Sequence, residues 1–279
     1  MKKVTAIIIL LFAFFVLAAC GSGTNEFSPP GVDENEKSGQ TSEPEEETVK
    51  ENEEEMESTV KENPPARILD QNKPAIALTF DDGPNTTNSV KILDALEERG
   101  LVATYFIIGG NINEQTAEVM KRAYALGCEY GNHSWGWDSM GKWESERIIE
   151  SIQKTAEKIV EVLGKDAYPK FFRAPNLNTG TEMIETVKEL GYPLMNGIIG
   201  NDWESGATPE SIYNLIVPKV TDGIIILLHD GVSNNVTAEG IGAILDALID
   251  EGYQFVTLSE LFELKGVEIE AGKTYNQIK

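Results

Sequence analysis

Apolar and polar positions change period repeatedly between about residue 72 and residue 265. Short apolar runs predict strands at 75–80, 103–108, 128–132, 171–174, 194–199, 224–228 and 254–258. Between them, apolar residues recur at helical spacing over 90–99, 114–126, 144–163, 182–190, 209–217 and 238–249. Gly100, Gly127, Gly164, Gly191 and Gly252 stand where helices stop. Strands alternating with helices predict a parallel sheet covered by helices in a single domain. About seven such units favour a distorted (β/α)7-type barrel over a doubly wound open sheet.

Polar residues gather where the strands end. Asp81 and Asp82 follow the first strand and lead into Gly83-Pro84; His133 follows the third, Arg173 and Asn176 the fourth, Asp202 and Trp203 the fifth, His229 and Asp230 the sixth. In a parallel barrel the C-terminal strand ends converge on one face, where catalytic groups collect. Asp-Asp-Gly-Pro alone reads as a turn. Five segments aimed at one face make it a candidate site in which one carboxylate serves as base and its neighbour holds a cation.

Ahead of this domain the composition differs. Lys2 and Lys3, an apolar stretch at 7–16 and Leu17-Ala18-Ala19-Cys20-Gly21 resemble a bacterial lipoprotein signal over residues 1–20, in which Cys20 is lipidated. The apolar stretch is shorter than the roughly 20 residues a membrane span needs. Residues 21–66 carry 14 Asp or Glu against three Lys, so this segment reads as an acidic, extended tether. The domain from 67 to 279 retains a net charge of −14, which argues against nucleic acid and against an electrostatic grip on anionic lipid. The expected setting is the outer face of the cytoplasmic membrane, facing the cell wall, as a monomer whose only membrane contact is the lipid anchor. With Cys20 lipidated, Cys128 has no disulfide partner and is expected to be buried as a small hydrophobe.

Thr79-Phe80-Asp81-Asp82-Gly83-Pro84, Gly131-Asn132-His133-Ser134, Arg173-Ala174-Pro175, Asp202-Trp203 and Leu227-Leu228-His229 together resemble the five ordered motifs of the polysaccharide deacetylases, the NodB-homology domain of carbohydrate esterase family 4. The resemblance implies a distorted barrel and hydrolytic removal of acetyl groups from a polysaccharide. It also implies roles: Asp81 as general base, Asp82 and His133 as metal ligands, His229 as acid, Arg173 as partner of Asp81. Asp202 would steady Arg173 or His229, the backbone N–H at Asn176 would receive the oxyanion, and Trp203 and Leu227 would wall the acetyl pocket.

Three positions depart from that pattern. Where the second motif has a further histidine the chain has Trp137, whose indole can only donate, leaving Asp138 or water to complete the coordination. Two protein ligands with several waters suit Co²⁺, Mn²⁺ or Ni²⁺ better than tetrahedral Zn²⁺. Asn176 replaces a usual Tyr and Ile199 a usual Asp, which leaves the substrate open among peptidoglycan N-acetylglucosamine, favoured by surface tethering, chitin-like oligomers and acetylxylan. The alternatives are a deacetylase fold that has lost its metal and only binds wall glycan, with Trp135, Trp137 and Trp143 stacking on sugar, and an unrelated hydrolase or isomerase on the same barrel.

Overall fold

The computed structural model describes residues 67–279. The signal with Cys20 and the acidic segment 21–66 lie outside the described residues. Among the described residues no helix is long and apolar enough to cross a membrane.

The chain runs β1 (Ala75–Asp81), α1 (Asn88–Glu98), β2 (Thr104–Ile107), α2 (Glu114–Ala125), β3 (Glu129–Asn132), α3 (Ser145–Leu163), α4 (Thr181–Glu189), β4 (Leu194–Met195), β5 (Ile198–Ile199), α5 (Pro209–Ile216), β6 (Ile225–His229), α6 (Asn235–Asp250), β7 (Gln254–Val256), α7 (Leu258–Lys265) and β8 (Thr274–Tyr275). The main sheet has the order β3-β2-β1-β6-β5, with β7 beside the start of β1, and every pairing is parallel. From β3 the circuit continues through single parallel bridges, Asn132 to Phe172 and Phe172 to Leu194. The segment 194–199 then bends and returns to β6 through Ile198 and Ile199. The result is a distorted barrel of parallel strands ringed by helices.

Two expected strands are reduced in this arrangement. The 171–174 strand survives only as the Phe172 bridge, and 194–199 is split at Asn196 and Gly197. The buried guanidinium of Arg173 explains the split. Its Nε donates to the Met195 carbonyl at 2.9 Å and its Nη2 to the Asn196 carbonyl at 3.1 Å, so these oxygens serve a side chain instead of a ladder. The 254–258 strand stops at Val256 because Thr257 caps α7 in a reciprocal capping box with Glu260. Neither α7 nor β8 is anticipated by the periodicity. Cys128 is buried and free, and burial pushes its thiol up to about 12.

Alternation along β1 explains how the barrel carries a site. Ile76, Leu78 and Phe80 pack outward with Leu93 and Leu96 of α1 and Ile244 and Leu248 of α6. Ala75 and Ala77 face inward, where their small side chains leave room for Phe106, Phe171 and Met195. Thr79 and Asp81 continue the same inward column towards the C-terminal end. An apolar floor therefore rises to a polar rim.

Candidate active site

Register sets the site. Asp81 at the end of β1 pairs with His229 at the end of β6 and with Phe106 of β2. The following residue, Asp82, has φ 79°, which re-aims its carboxylate after the strand. The turn is fixed from several sides: Asn111 Nδ2 donates to the Asp82 carbonyl at 2.8 Å, and the Ile108 N–H to the Gly83 carbonyl at 3.0 Å. Only glycine fits at 83, because a Cβ there would overlap the Asp230 carboxylate. Ser134, Asn176, Leu177 and Asn201, all at this end of the barrel, also have positive φ. Such a cluster of uncommon backbone conformations marks a functional rim.

Asp81 is 2% exposed and Arg173 is 0% exposed. Arg173 Nη1 donates to Asp81 Oδ1 at 2.6 Å and to Thr79 Oγ1 at 2.9 Å. With its two bonds to the carbonyls of 195 and 196 the guanidinium is well satisfied, and its plane covers the Phe106 ring at 4.0 Å. Burial lowers its pKa while the Asp81 carboxylate pulls it back up. One oxygen of Asp81 is thus committed to Arg173 and the other turns towards His133, 3.8 Å from its Nε2.

His133 bonds through Nδ1 to the Arg173 carbonyl at 2.7 Å. A carbonyl only accepts, so Nδ1 carries a proton and Nε2 is left to face the carboxylates. Nε2 faces Asp82 Oδ1 at 3.6 Å and Asp81 Oδ2 at 3.8 Å. A carboxylate oxygen and an imidazole nitrogen are donors that suit a divalent cation. Asp82 and His133 therefore fit a divalent ion. Burial raises the pKa of Asp82, His133 works against this, and the neighbouring Asp81 charge adds to it. Among the described residues there is no cluster of three or more His, Cys, Asp or Glu able to hold a metal. Asp138 pairs with Arg147 at 3.5 Å and is mostly exposed.

At the end of the neighbouring strand β6, Asp202 binds His229 and not Arg173. Its Oδ1 accepts from His229 Nδ1 at 2.8 Å, and its Oδ2 accepts from the His229 backbone N–H at 2.8 Å and from the Thr237 hydroxyl. A helix-capping role for Asp202 is excluded, since Thr208 caps α5 itself. Burial alone would lower the pKa of His229; the Asp202 hydrogen bond and the charges of Asp81, Asp202 and Asp82 outweigh it and raise it to about 9. Trp203 stands edge-on to this imidazole with centroids 5.1 Å apart.

A cavity of about 410 Å³ joins the two halves, and Asp81, Asp82, His133, His229, Trp203 and Leu227 all line it. Asn176, Trp137 and Ile199 complete its wall. Every proposed site residue between 81 and 229 is thus brought to one cavity or directly behind it. The sequence reading overlooked three contributors. Thr79 was legible from the inward alternation that ends at Asp81. Thr237 lies on α6 with no local signal, and Asp230, though noted at a strand end, gave no sign that it would pack under Gly83.

A parallel barrel whose cavity holds an arginine-held carboxylate and a carboxylate-held imidazole suits a hydrolase. Comparisons with known proteins make this specific. Residues 69–195 match the family model described as polysaccharide deacetylase. The bifunctional xylanase/deacetylase of Pseudobutyrivibrio xylanivorans is 41% identical over 197 residues, 71% of this chain and 32% of that protein. A peptidoglycan-N-acetylglucosamine deacetylase of Bacillus cereus is 34% identical over 197 residues, 70% of this chain and 91% of its own. The chain thus spans about a third of the first relative and nine-tenths of the second. Among solved structures, a family 4 acetyl xylan esterase from Clostridium thermocellum in complex with a cobalt ion superposes with a TM-score of 0.69 at 37% identity, covering 73% of this chain and 98% of that one. The chain belongs to the polysaccharide deacetylase family.

Proposed function

We propose that this protein removes acetyl groups from an acetylated polysaccharide by metal-dependent hydrolysis. The observation that carries this reading is that Asp81, held by Arg173, and His229, held by Asp202, line one cavity from adjacent strand ends, with Asp82 and His133 in the same wall. A divalent ion held by Asp82 and His133 would polarise the acetyl carbonyl and make water more acidic. Asp81, with one oxygen tied to Arg173, takes a proton from the attacking water as the new C–O bond forms. The backbone N–H at Asn176 receives the developing oxyanion. His229 then gives its proton to the leaving nitrogen or oxygen as the bond to the acetyl carbon breaks, releasing acetate and the free sugar amine or hydroxyl. Trp203 and Leu227 exclude water around the acetyl methyl.

The absence of a third protein ligand among the described residues supports Co²⁺, Mn²⁺ or Ni²⁺ over Zn²⁺, in line with the cobalt ion in the solved relative. Surface tethering through Cys20 favours peptidoglycan N-acetylglucosamine, whereas the named relatives divide between xylan and peptidoglycan. The second reading, a wall-glycan binder without catalysis, is favoured by Trp137 alone. Acetate release from N-acetylglucosamine oligomers and from acetylxylan, across a panel of divalent ions, decides between them, with Asp81→Asn as control. Release that depends on the ion and is abolished in Asp81→Asn supports hydrolysis. No release with any ion from folded protein refutes it.

A further inference from the structure

Three of the four tryptophans crowd residues 135–143, and their surroundings differ. Lys154 Nζ covers the Trp135 ring at 3.8 Å, and the Arg147 guanidinium covers Trp143 at 3.6 Å. Those cations already occupy a face of each ring. Among the described residues Trp137 has no such partner: it is 52% exposed and lines the cavity together with Asp82 and Trp203, itself 53% exposed.

The segment carrying Trp137 is held in place. Asn176 Nδ2 donates to the Trp137 carbonyl at 3.2 Å and lies 3.3 Å from Ser139 Oγ, while the Gly141 N–H donates to Asn178 Oδ1 at 3.0 Å. Gly180 packs on Gly141 so closely that a Cβ at 180 would overlap the Gly141 carbonyl. Asn176 can serve because, at φ 57°, its backbone is in the left-handed region that asparagine tolerates. Two positions that depart from the family pattern, Trp137 and Asn176, are therefore joined to each other. With its backbone held by Asn176, the half-exposed ring lines the cavity in company with Asp82.

An indole face is electron-rich, and the C–H face of a pyranose presents small positive charges to it. We propose that Trp137, positioned by Asn176, is a specificity-determining subsite that stacks on a pyranose ring neighbouring the acetylated sugar. The inference rests on the deacetylase reading and adds a chain-length preference to it. The position that could have supplied a third metal ligand supplies sugar contact instead.

The test is calorimetric titration of metal-stripped full-length protein with hexamers of N-acetylglucosamine and of xylose, together with KM and kcat for acetate release by the metal-loaded enzyme. Trp137→Ala is expected to raise Kd and KM for a hexamer roughly 2–12-fold, the range of a single aromatic contact, and to raise them less for a dimer. Trp137→Phe recovers most of the affinity. Asn176→Asp keeps the backbone preference but loses the amide donor, and is expected to raise KM in the same direction. Because the two act as one unit, the double variant should be no weaker than the weaker single. Hexamer affinity unchanged in Trp137→Ala, or losses that multiply in the double variant, would overturn the proposal. If the wild type releases acetate and only these outcomes fail, the subsite falls and the deacetylase reading stands; if the wild type neither releases acetate nor binds either hexamer, both fall.

Discussion

The carboxylate of Asp202 grips His229 twice, 2.8 Å from the imidazole Nδ1 and 2.8 Å from the backbone N–H of the same residue. The second bond locks the position of the backbone and the first locks the ring, so the remaining ring nitrogen has one direction left to it, into the cavity. Since this partnership raises the His229 pKa to about 9, the imidazole stays protonated through neutral pH. The alkaline limb of kcat/KM is therefore expected near pH 9, and Asp202→Asn should move it down towards the ordinary histidine value of about 6.5. The folded-state pKa lies above the unfolded one, so the pair's stabilisation is complete below about pH 6.5 and is lost as pH rises through 9. It is worth roughly 3 kcal/mol at most. Thermal melts of wild type and Asp202→Asn should differ more at pH 6 than at pH 10; an equal difference at both would refute the assignment.

Arg173 and Asp81 stabilise each other in a place where neither tolerates isolation. Removing the guanidinium leaves a buried carboxylate without its partner, so Arg173→Met should cost about 3–5 kcal/mol in urea unfolding. Adding Asp81→Asn to that variant removes the stranded charge and should recover part of the loss. Activity should not return, because the base is gone; Asp81→Asn alone is expected to lower kcat by about 10²–10⁴. A double variant less stable than Arg173→Met would count against the pairing as the source of the cost.

Trp137 stands where a third metal ligand would, which on the proposed reading limits the ion the site can keep. Protein purified and dialysed is expected to carry little metal, with Co²⁺ or Mn²⁺ restoring activity better than Zn²⁺. Trp137→His would place a second imidazole near Asp82 and His133 and should raise Zn²⁺ affinity at least tenfold, read as bound zinc after dialysis. Stoichiometric zinc in the dialysed wild type would refute the two-ligand account.

Much of this was visible in the chain. The inward alternation Ala75, Ala77, Thr79, Asp81 announces both a barrel interior and a residue at its rim, and each of the six anticipated helices is present with ends shifted by a few residues. What stayed hidden depends on contacts distant in sequence. Phe172 pairs by single bridges and β4 separates from β5 because Arg173 captures carbonyls that local periodicity assigns to a ladder. α7 begins inside an apolar run, at Leu258, where only the Thr257–Glu260 box marks the change. Trp137 was legible as a missing ligand, but its contact with Asn176 joins positions 39 apart in the chain and has no local signature.

Asp230 lies beneath the catalytic turn, fully buried, and its position gives a test of that turn's support. Its backbone N–H donates to the Asp81 carbonyl at 3.0 Å, its carbonyl accepts from Asn85 Nδ2 at 2.6 Å, and its Oδ2 accepts from the Ser89 hydroxyl. Oδ1 has no hydrogen-bond partner among the described residues. Burial, reinforced by the charges of Asp82 and Asp81, raises its pKa to about 7. The folded state therefore holds a proton that the unfolded chain, near 3.9, releases. Stability from this group is complete below about pH 3.9 and is lost as pH rises through 7, a cost on the order of 4 kcal/mol by pH 8. Asp230→Asn keeps the shape, never ionises and leaves an acceptor oxygen for Ser89. Denaturant titrations should find Asp230→Asn more stable than wild type at pH 8, with the advantage disappearing by pH 4. Asp230→Ala, which removes the support under Gly83, should be destabilised at both. An Asp230→Asn variant less stable than wild type at pH 8 would mean that the ionised carboxylate is needed there, and that the turn beneath Asp82 is held by charge and not by a neutral acid.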